Sequence, residues 1–466
     1  MRTHITCFLV FVTLLAHSQE DAVVLRFNEY LGYVKQYHPI AKQAQLTLSA
    51  GQANLMKARG GFDPKIEVDY DRKEFKGSEY YERLNATFKI PTWYGIELKG
   101  NFQQNEGEFL NASETLPDDG LYSAGVAMSL GQGLWINERM ATLKRAKYFR
   151  EQSKADRDLQ INQILYDASL AYFDWLQAYK EVSIYKGFFE NASIRFEGIK
   201  KRANLGDVAA IDTVEAKITM QNRALSLEQS KVTMMKRSLD LSNFLWMDDE
   251  VPVELQDTVI PDTEIESDID TTLEILGKPL DSFTVDNHPK LKSLGYKIDG
   301  LRVDKNLKAN KLLPKIDVEY NFLTQEPELI NSFDTQQYKG GVTFRLPIFL
   351  RKERGDLKLA KFKLQDAKFE FDNAEIALKN KIVAIYRELE SFQTQNTLVD
   401  EIVMNYKTLV AAEERKFSFG ESSLFLINSR ENKLIDAELK QITVQNKFYT
   451  AKAKLFNSLA LNPKNL

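Results

Sequence analysis

Cysteine is nearly absent from this chain of 466 residues: Cys7 is the one copy. It lies in the first apolar run, so a chain cleaved after that run has none. That excludes disulfides, thiolate catalysis and cysteine-bound zinc. Cys7 also sits ahead of where a lipobox would need it, which argues against a lipid anchor. Histidine is scarce too. His4 and His17 share the same leader, and His38 and His288 each precede a proline where a helix starts, a capping position rather than a base. Charge of either sign is not in excess. With 62 basic and 66 acidic side chains, a formal net charge of −4 gives no field for nucleic acid. Gly131-Gln132-Gly133 lacks the later glycine of a dinucleotide loop, and no glycine-rich Lys-Ser/Thr loop offers phosphate binding. The reading is therefore not an enzyme, with no cofactor and no metal. No apolar run reaches the roughly 18–20 residues of a membrane-spanning helix.

What is present begins with a leader. Arg2, the apolar stretch Ile5 to Ala16 and the small-x-small site Ala16-His17-Ser18 read as a signal peptide over residues 1–18, and hence an exported protein. The remainder is written twice. His38-Pro39 recurs as His288-Pro289, and Pro64-Lys65-Ile66-Glu67-Val68-Asp69-Tyr70 as Pro314-Lys315-Ile316-Asp317-Val318-Glu319-Tyr320, both at an offset of 250. Tyr122, Gly125, Val126 and Leu130 then match Tyr338, Gly341, Val342 and Leu346 at an offset of 216, so the first copy carries 34 extra residues. The expected organisation is a first repeat over 19–247, with short helices 23–59, strands 63–130 and a long helical hairpin 137–247. A second repeat over 288–460 has a helix 289–310, strands 314–346 and a hairpin 352–460, followed by a tail, 461–466. Between them, residues 248–287 hold thirteen acidic side chains against Lys278, an acidic equatorial connector that reads as solvated.

Proline is missing between Asn137 and Pro252, and again between Lys352 and Pro463. In the first window Ile161, Ile164, Ala168, Ala171, Trp175 and Ala178 keep a 3-4 spacing. In the second, Leu357, Ala360, Leu364, Ala367, Phe371 and Ala374 do the same, the seam of a coiled coil. A helix over 137–203 would be about 100 Å long at 1.5 Å per residue, too long for a compact domain. Asn204-Leu205-Gly206-Asp207 turns the chain back, as Ser418-Phe419-Gly420-Glu421 does in the second copy.

Between 63 and 130 the period falls to two. Ile66, Val68 and Tyr70 alternate with Glu67, Asp69 and Asp71, and Leu84, Ala86, Phe88 and Ile90 with Asn85, Thr87 and Lys89. Ile96, Leu98, Gly100 and Phe102 follow. Such dyads suit membrane-barrel strands and equally a half-buried soluble sheet. The two copies supply six strands, or four if the extra hairpin, Tyr81 to Gln104, lies outside the wall. Either count is below the eight or so a closed membrane barrel needs, and an open edge in lipid is not tolerated, so several chains would have to share one barrel.

A signal sequence before a duplicated unit of helix, strand hairpin and long helical hairpin resembles the TolC family of outer-membrane efflux proteins. The match runs over the mature chain, and its most specific parts are the two tips, Lys201 to Asp207 and Arg415 to Glu421, with Leu346-Pro347-Ile348-Phe349 before the second long helix. In the first copy Gly131 replaces that proline. The resemblance implies a mainly α-helical fold with membrane β-structure. Three chains would share an outer-membrane β-barrel in contact with lipid and a coiled-coil α-barrel crossing the periplasm. It also implies passive conduction from a periplasmic adaptor protein and an inner-membrane transporter, in a tripartite efflux pump or a type I secretion system. The adaptor would meet Leu205, Gly206, Asp207, Phe419, Gly420 and Glu421. The family narrows its periplasmic end with acids six and nine residues after the tip glycine. These are Asp212 and Glu215 in the first copy, but Leu426 and Ser429 in the second, so one acidic ring is expected. The competing expectation is an exported structural or adhesive coiled-coil protein without channel activity, which would leave the strand hairpins unexplained.

Overall fold

The computed structural model describes residues 23–275, 287–326, 334–464 and 466; the expected leader, 1–18, lies outside them. Two helices dominate. Asn137 caps the first, α3 (Glu138–Asn204), by accepting a hydrogen bond from the Met140 N–H at 2.8 Å. Its counterpart, α7, spans Arg351–Ser418. At 67 and 68 residues, each is about 100 Å long. Each returns through a shorter helix, α4 (Ala210–Ser242) and α8 (Leu424–Ser458).

The other column of each repeat is built from α2 (Pro39–Arg59) and α6 (Pro289–Asn310). Proline at their first position has no N–H to leave unsatisfied, and the preceding histidine accepts the next free donor. His38 Nδ1 accepts from the Ile40 N–H at 3.2 Å, and His288 Nδ1 from the Lys290 N–H at 3.1 Å. Near the sheet, α2 packs on α3, α3 on α6 and α6 on α7. Towards the tips, α4 packs on α3, α3 on α8 and α8 on α7. Four helices therefore stand side by side at either level, and α7 is an edge at both.

Six of the strands form one antiparallel sheet. Its members are β2 (Lys65–Phe75), β3 (Ser78–Pro91), β4 (Ile96–Glu106), β5 (Leu121–Gly131), β7 (Lys315–Thr324) and β8 (Tyr338–Arg345), neighbours in that order. β3 and β4, the extra hairpin of the first repeat, thus sit inside the sheet.

The main core lies midway along the helices. Trp175, Tyr172, Phe173 and Leu165 of α3 are fully buried, together with Phe27, Tyr30 and Leu31 of α1 (Phe27–Tyr37) and Phe456 of α8. Each such side chain gains about 1.5–3 kcal/mol from leaving water. Two expectations need correction at this level. Residues 23–25 are not helical: β1 (Val23–Leu25) pairs in parallel with β6 (Val259–Pro261) of the connector. Nor is the connector merely solvated. In and around α5 (Glu266–Thr272), Ile265, Ile269 and Leu273 are buried in this core. The acids between them face outward; Asp270 pairs with Lys452 at 3.0 Å. Tyr172 fastens both pieces, donating from its hydroxyl to the Leu25 carbonyl at 2.7 Å and accepting from the Asp262 N–H at 3.2 Å.

Candidate conduit and periplasmic tip

Cross-strand pairing sorts the sheet into two faces. One row runs Ile66, Phe88, Gly100, Ala124, Phe322, Tyr338, a single line over all six strands and apolar throughout. The next row, on the opposite face, is Lys65, Lys89, Lys99, Gly125, Asn321, Lys339. The split persists along the strands. Val68, Leu98, Val126, Val342 and Phe344 are exposed on the apolar side. The polar side is laced by charge: Lys89 with Glu67, Lys99 with Glu319 at 3.2 Å, and Arg345 with Asp317 at 2.5 Å. Lys99 reaches from β4 to β7 across Gly125 of β5, where a Cβ would meet the Asn321 side chain at 2.1 Å. One face suits lipid and the other a water-filled interior.

The helical end of the sheet is fixed to the long helices. Trp93 of the β3–β4 turn stacks with Phe62, which precedes β2, at 5.6 Å, and its carbonyl accepts from the Asn137 side chain at 3.1 Å. From α3, Arg139 pairs with Glu97 of β4 at 2.6 Å. The extra hairpin is therefore anchored to the start of α3 like the strands beside it.

At the far end the two tips are built alike. Gly206 (φ +83°) and Gly420 (φ +79°) take the left-handed conformation that ends each long helix. The N–H of Asp207 then bonds the Arg202 carbonyl at 3.0 Å, and that of Glu421 the Lys416 carbonyl at 2.9 Å. Leu205 and Phe419 project into solvent, 77% and 74% exposed. Ser423 caps α8, whereas Ala209 precedes α4 without a side-chain cap. Asp212 and Glu215 lie half-buried on the opening turns of α4. Glu215 accepts from the Asn428 amide of α8 at 3.2 Å, which ties it to the second hairpin, while Asp212 forms no ion pair among the described residues. Leu426 and Ser429 are exposed at the start of α8.

Sequence reasoning missed an ionic node above the tips. Glu431 of α8, 1% exposed, accepts two hydrogen bonds from Arg195 of α3 at 3.0 and 3.2 Å. Arg195 also reaches Glu414 of α7 at 3.1 Å. Arg223 of α4 lies 3.8 Å from Glu431 and donates to Asn432 at 2.6 Å. Burial pulls the Arg223 guanidinium below its usual range, and Glu431 opposes that shift. All four hairpin helices meet here. The signal was present in the numbering: Arg195 stands eleven residues before Gly206, and Glu431 eleven after Gly420, at one height on the hairpins.

A sheet with one apolar and one polar side, continuous with a layer of long helices, is the arrangement expected of an outer-membrane channel subunit. The second repeat bears this out in sequence: residues 284–461 match the model of the outer membrane efflux protein family. Solved structures share the fold over nearly the whole chain. The CmeC outer membrane channel of Campylobacter jejuni has 14% identity and a TM-score of 0.64, covering 93% of this chain and 85% of its own. VceC, an outer membrane protein of Vibrio cholerae, has 12% identity and a TM-score of 0.64, with 93% and 96% covered. The open state of the MtrE outer membrane channel of Neisseria gonorrhoeae has 12% identity and a TM-score of 0.64, with 95% and 90% covered. No curated protein matches the chain in sequence. The fold and the match of the second repeat both agree with the TolC-like resemblance seen in the sequence.

Proposed function

We propose that three copies of this chain form one passive conduit, receiving solutes at the helical tips and releasing them outside the cell. The observation that carries this is the pair of open sides on each protomer. β2 and β8 end the sheet with unpaired backbone, which lipid does not tolerate. In the helical layer α4 carries Ile211, Val214, Ile218, Leu225, Val232 and Leu239 exposed along one heptad-like stripe. On the other side α7 exposes Leu359, Phe362, Phe369, Ile376 and Val383. A neighbour's α7 would lie against α2 near the sheet and, with its exposed Leu398, Ile402 and Met404, against α4 towards the tips; its β8 against β2 would close the sheet edge.

Transport through such a conduit needs no group that reacts. The polar sheet face keeps the exit wet, and energy enters from an inner-membrane transporter through a periplasmic adaptor. That adaptor would grip the tips: Leu205 and Phe419 supply exposed apolar anchors. Gly206 and Gly420, with open space around them, let a partner's backbone approach, and Asp207 and Glu421 add charge. Asp212 and Glu215, repeated three-fold, would narrow the entrance with like charges that favour cations and repel anions. Small-molecule efflux and protein export share this outer part, because the inner-membrane transporter chooses the cargo.

The test is reconstitution. The purified protein should require detergent, migrate as a trimer and open ion-conducting pores in planar bilayers. Exchanging Leu205 and Phe419 for Ser should leave trimer and pore intact while abolishing export in cells. A monomer soluble without detergent would refute the proposal.

A further inference from the structure

We infer that the outer-membrane barrel of the assembled protein has eighteen strands, with the extra hairpin β3–β4 forming part of its lipid-facing wall in each subunit. This rests on the three-fold conduit proposed above and adds the composition and width of its exit.

Three observations place the hairpin in the wall. The first is pairing order. β3 and β4 lie between β2 and β5, so removing them would break the sheet rather than trim a flap from it. The second is the continuity of the two faces. Leu84, Ala86, Phe88 and Ile90 of β3 fall on the same side as Val126 of β5 and Val318 of β7, while Asn85, Thr87 and Lys89 face the polar side. A flap lying in water outside the barrel has no use for a strictly apolar face aligned in register with its neighbours. The third is anchorage: the β3–β4 turn is held by Phe62, Asn137 and Arg139 at the root of α3.

Geometry then sets the width. Six antiparallel strands per subunit is an even number, so β8 of one subunit meets β2 of the next running oppositely, and the seam continues the pattern. With strands about 4.8 Å apart and tilted by about 40°, eighteen close at a diameter of about 36 Å, and twelve at about 24 Å. The helical layer shows four helices abreast in each subunit. Twelve helices at 9–10 Å spacing make a ring about 36 Å across. At that strand tilt the eighteen-stranded barrel sits on the helical tube without a step. The exit is as wide as the tube, and size selection falls to the periplasmic tip.

Cys7 is the chain's one cysteine, so single reporters can be placed elsewhere once it is removed with the leader or replaced. Trimers carrying Phe88→Cys, Thr87→Cys or Val126→Cys are reconstituted in liposomes and exposed to a water-soluble maleimide. Thr87→Cys should label at least about tenfold faster than Phe88→Cys, which should be shielded like Val126→Cys in β5. Fast labelling of Phe88→Cys with Val126→Cys still shielded would place the hairpin in water and overturn the eighteen-stranded barrel alone. Fast labelling of Val126→Cys as well would overturn the membrane conduit with it. Electron cryo-microscopy of the unaltered trimer provides the count without substitutions: eighteen strands support the inference and twelve refute it.

Discussion

Glu431 is held by Arg195 through two hydrogen bonds at 3.0 and 3.2 Å, a buried ion pair between the second hairpin and the first. A buried pair adds little net stability over a hydrophobic equivalent, but removing one partner strands the other charge. Glu431→Ala would leave Arg195 and Arg223 facing each other with Glu414 alone to compensate. Its expected cost is about 3–5 kcal/mol, read as a drop in the midpoint of denaturant unfolding. A combined Arg195→Met, Arg223→Leu, Glu431→Leu variant should recover most of that loss. If Glu431→Ala unfolded like the parent protein, the node would have no structural role.

His288 leads to a pH dependence. Its ring is buried, with Nδ1 accepting from the Lys290 N–H and Nε2 3.2 Å from the Ser458 carbonyl, so the neutral ring both caps α6 and reaches α8. Burial lowers its pKa from 6.5 to about 4, with the Ser458 carbonyl pulling the other way. The unfolded chain therefore takes up a proton below pH 6.5 that the folded chain refuses until about pH 4. Stability is full above pH 6.5 and falls as the pH drops through that window, by on the order of 3 kcal/mol in total. His288→Asn keeps a capping oxygen without a proton to gain. Its thermal midpoint should fall less between pH 7.5 and pH 5 than that of the parent.

The acids of α4 test the entrance. In planar bilayers Asp212→Asn combined with Glu215→Gln should lower the cation-over-anion permeability ratio several-fold, with Asp212→Asn supplying most of the change. Glu215 already spends one oxygen on Asn428, whereas Asp212 carries its charge without an ion pair among the described residues. Unchanged selectivity would assign these acids to the N-terminus of α4, where negative charge suits the helix dipole.

The exposed stripe on α4 tests assembly. Leu225→Glu with Val232→Glu puts two charges on a face that is 59% and 49% exposed in the protomer. Folding of one subunit should be little affected, because about half of each side chain already lies in water, while the trimer should dissociate in mild detergent. Sedimentation that still reports three copies would mean that α4 does not form the contact between subunits.

How much could be read beforehand depended on the range of the interaction. The long helices were legible because a proline-free 3-4 pattern is local: α3 covers Glu138–Asn204, beside the expected 137–203. The dyads of β3 and β4 were legible for the same reason, but not their partners, since alternation reports a face and says nothing of pairing order. β1 escaped notice because three residues carry no period and its partner lies more than 230 residues away. Ile265, Ile269 and Leu273 were hidden by the acids among them, though their four-residue spacing marks one helical face. The node at Glu431 depended on two hairpins standing at the same height, which the glycine distances encode but composition does not. His38 and His288 were the easier case, as a residue before proline at a helix start has few other uses.

The β1–β6 clip bears on the order of events during biogenesis. A chain made from its N-terminus delivers Val23–Leu25 early and Val259–Pro261 only after more than half its length has followed. The earliest stretch of the equator must therefore wait, extended and with exposed Val23 and Val24, for a docking site that does not yet exist. The clip can snap shut only once the connector has arrived, before the second repeat.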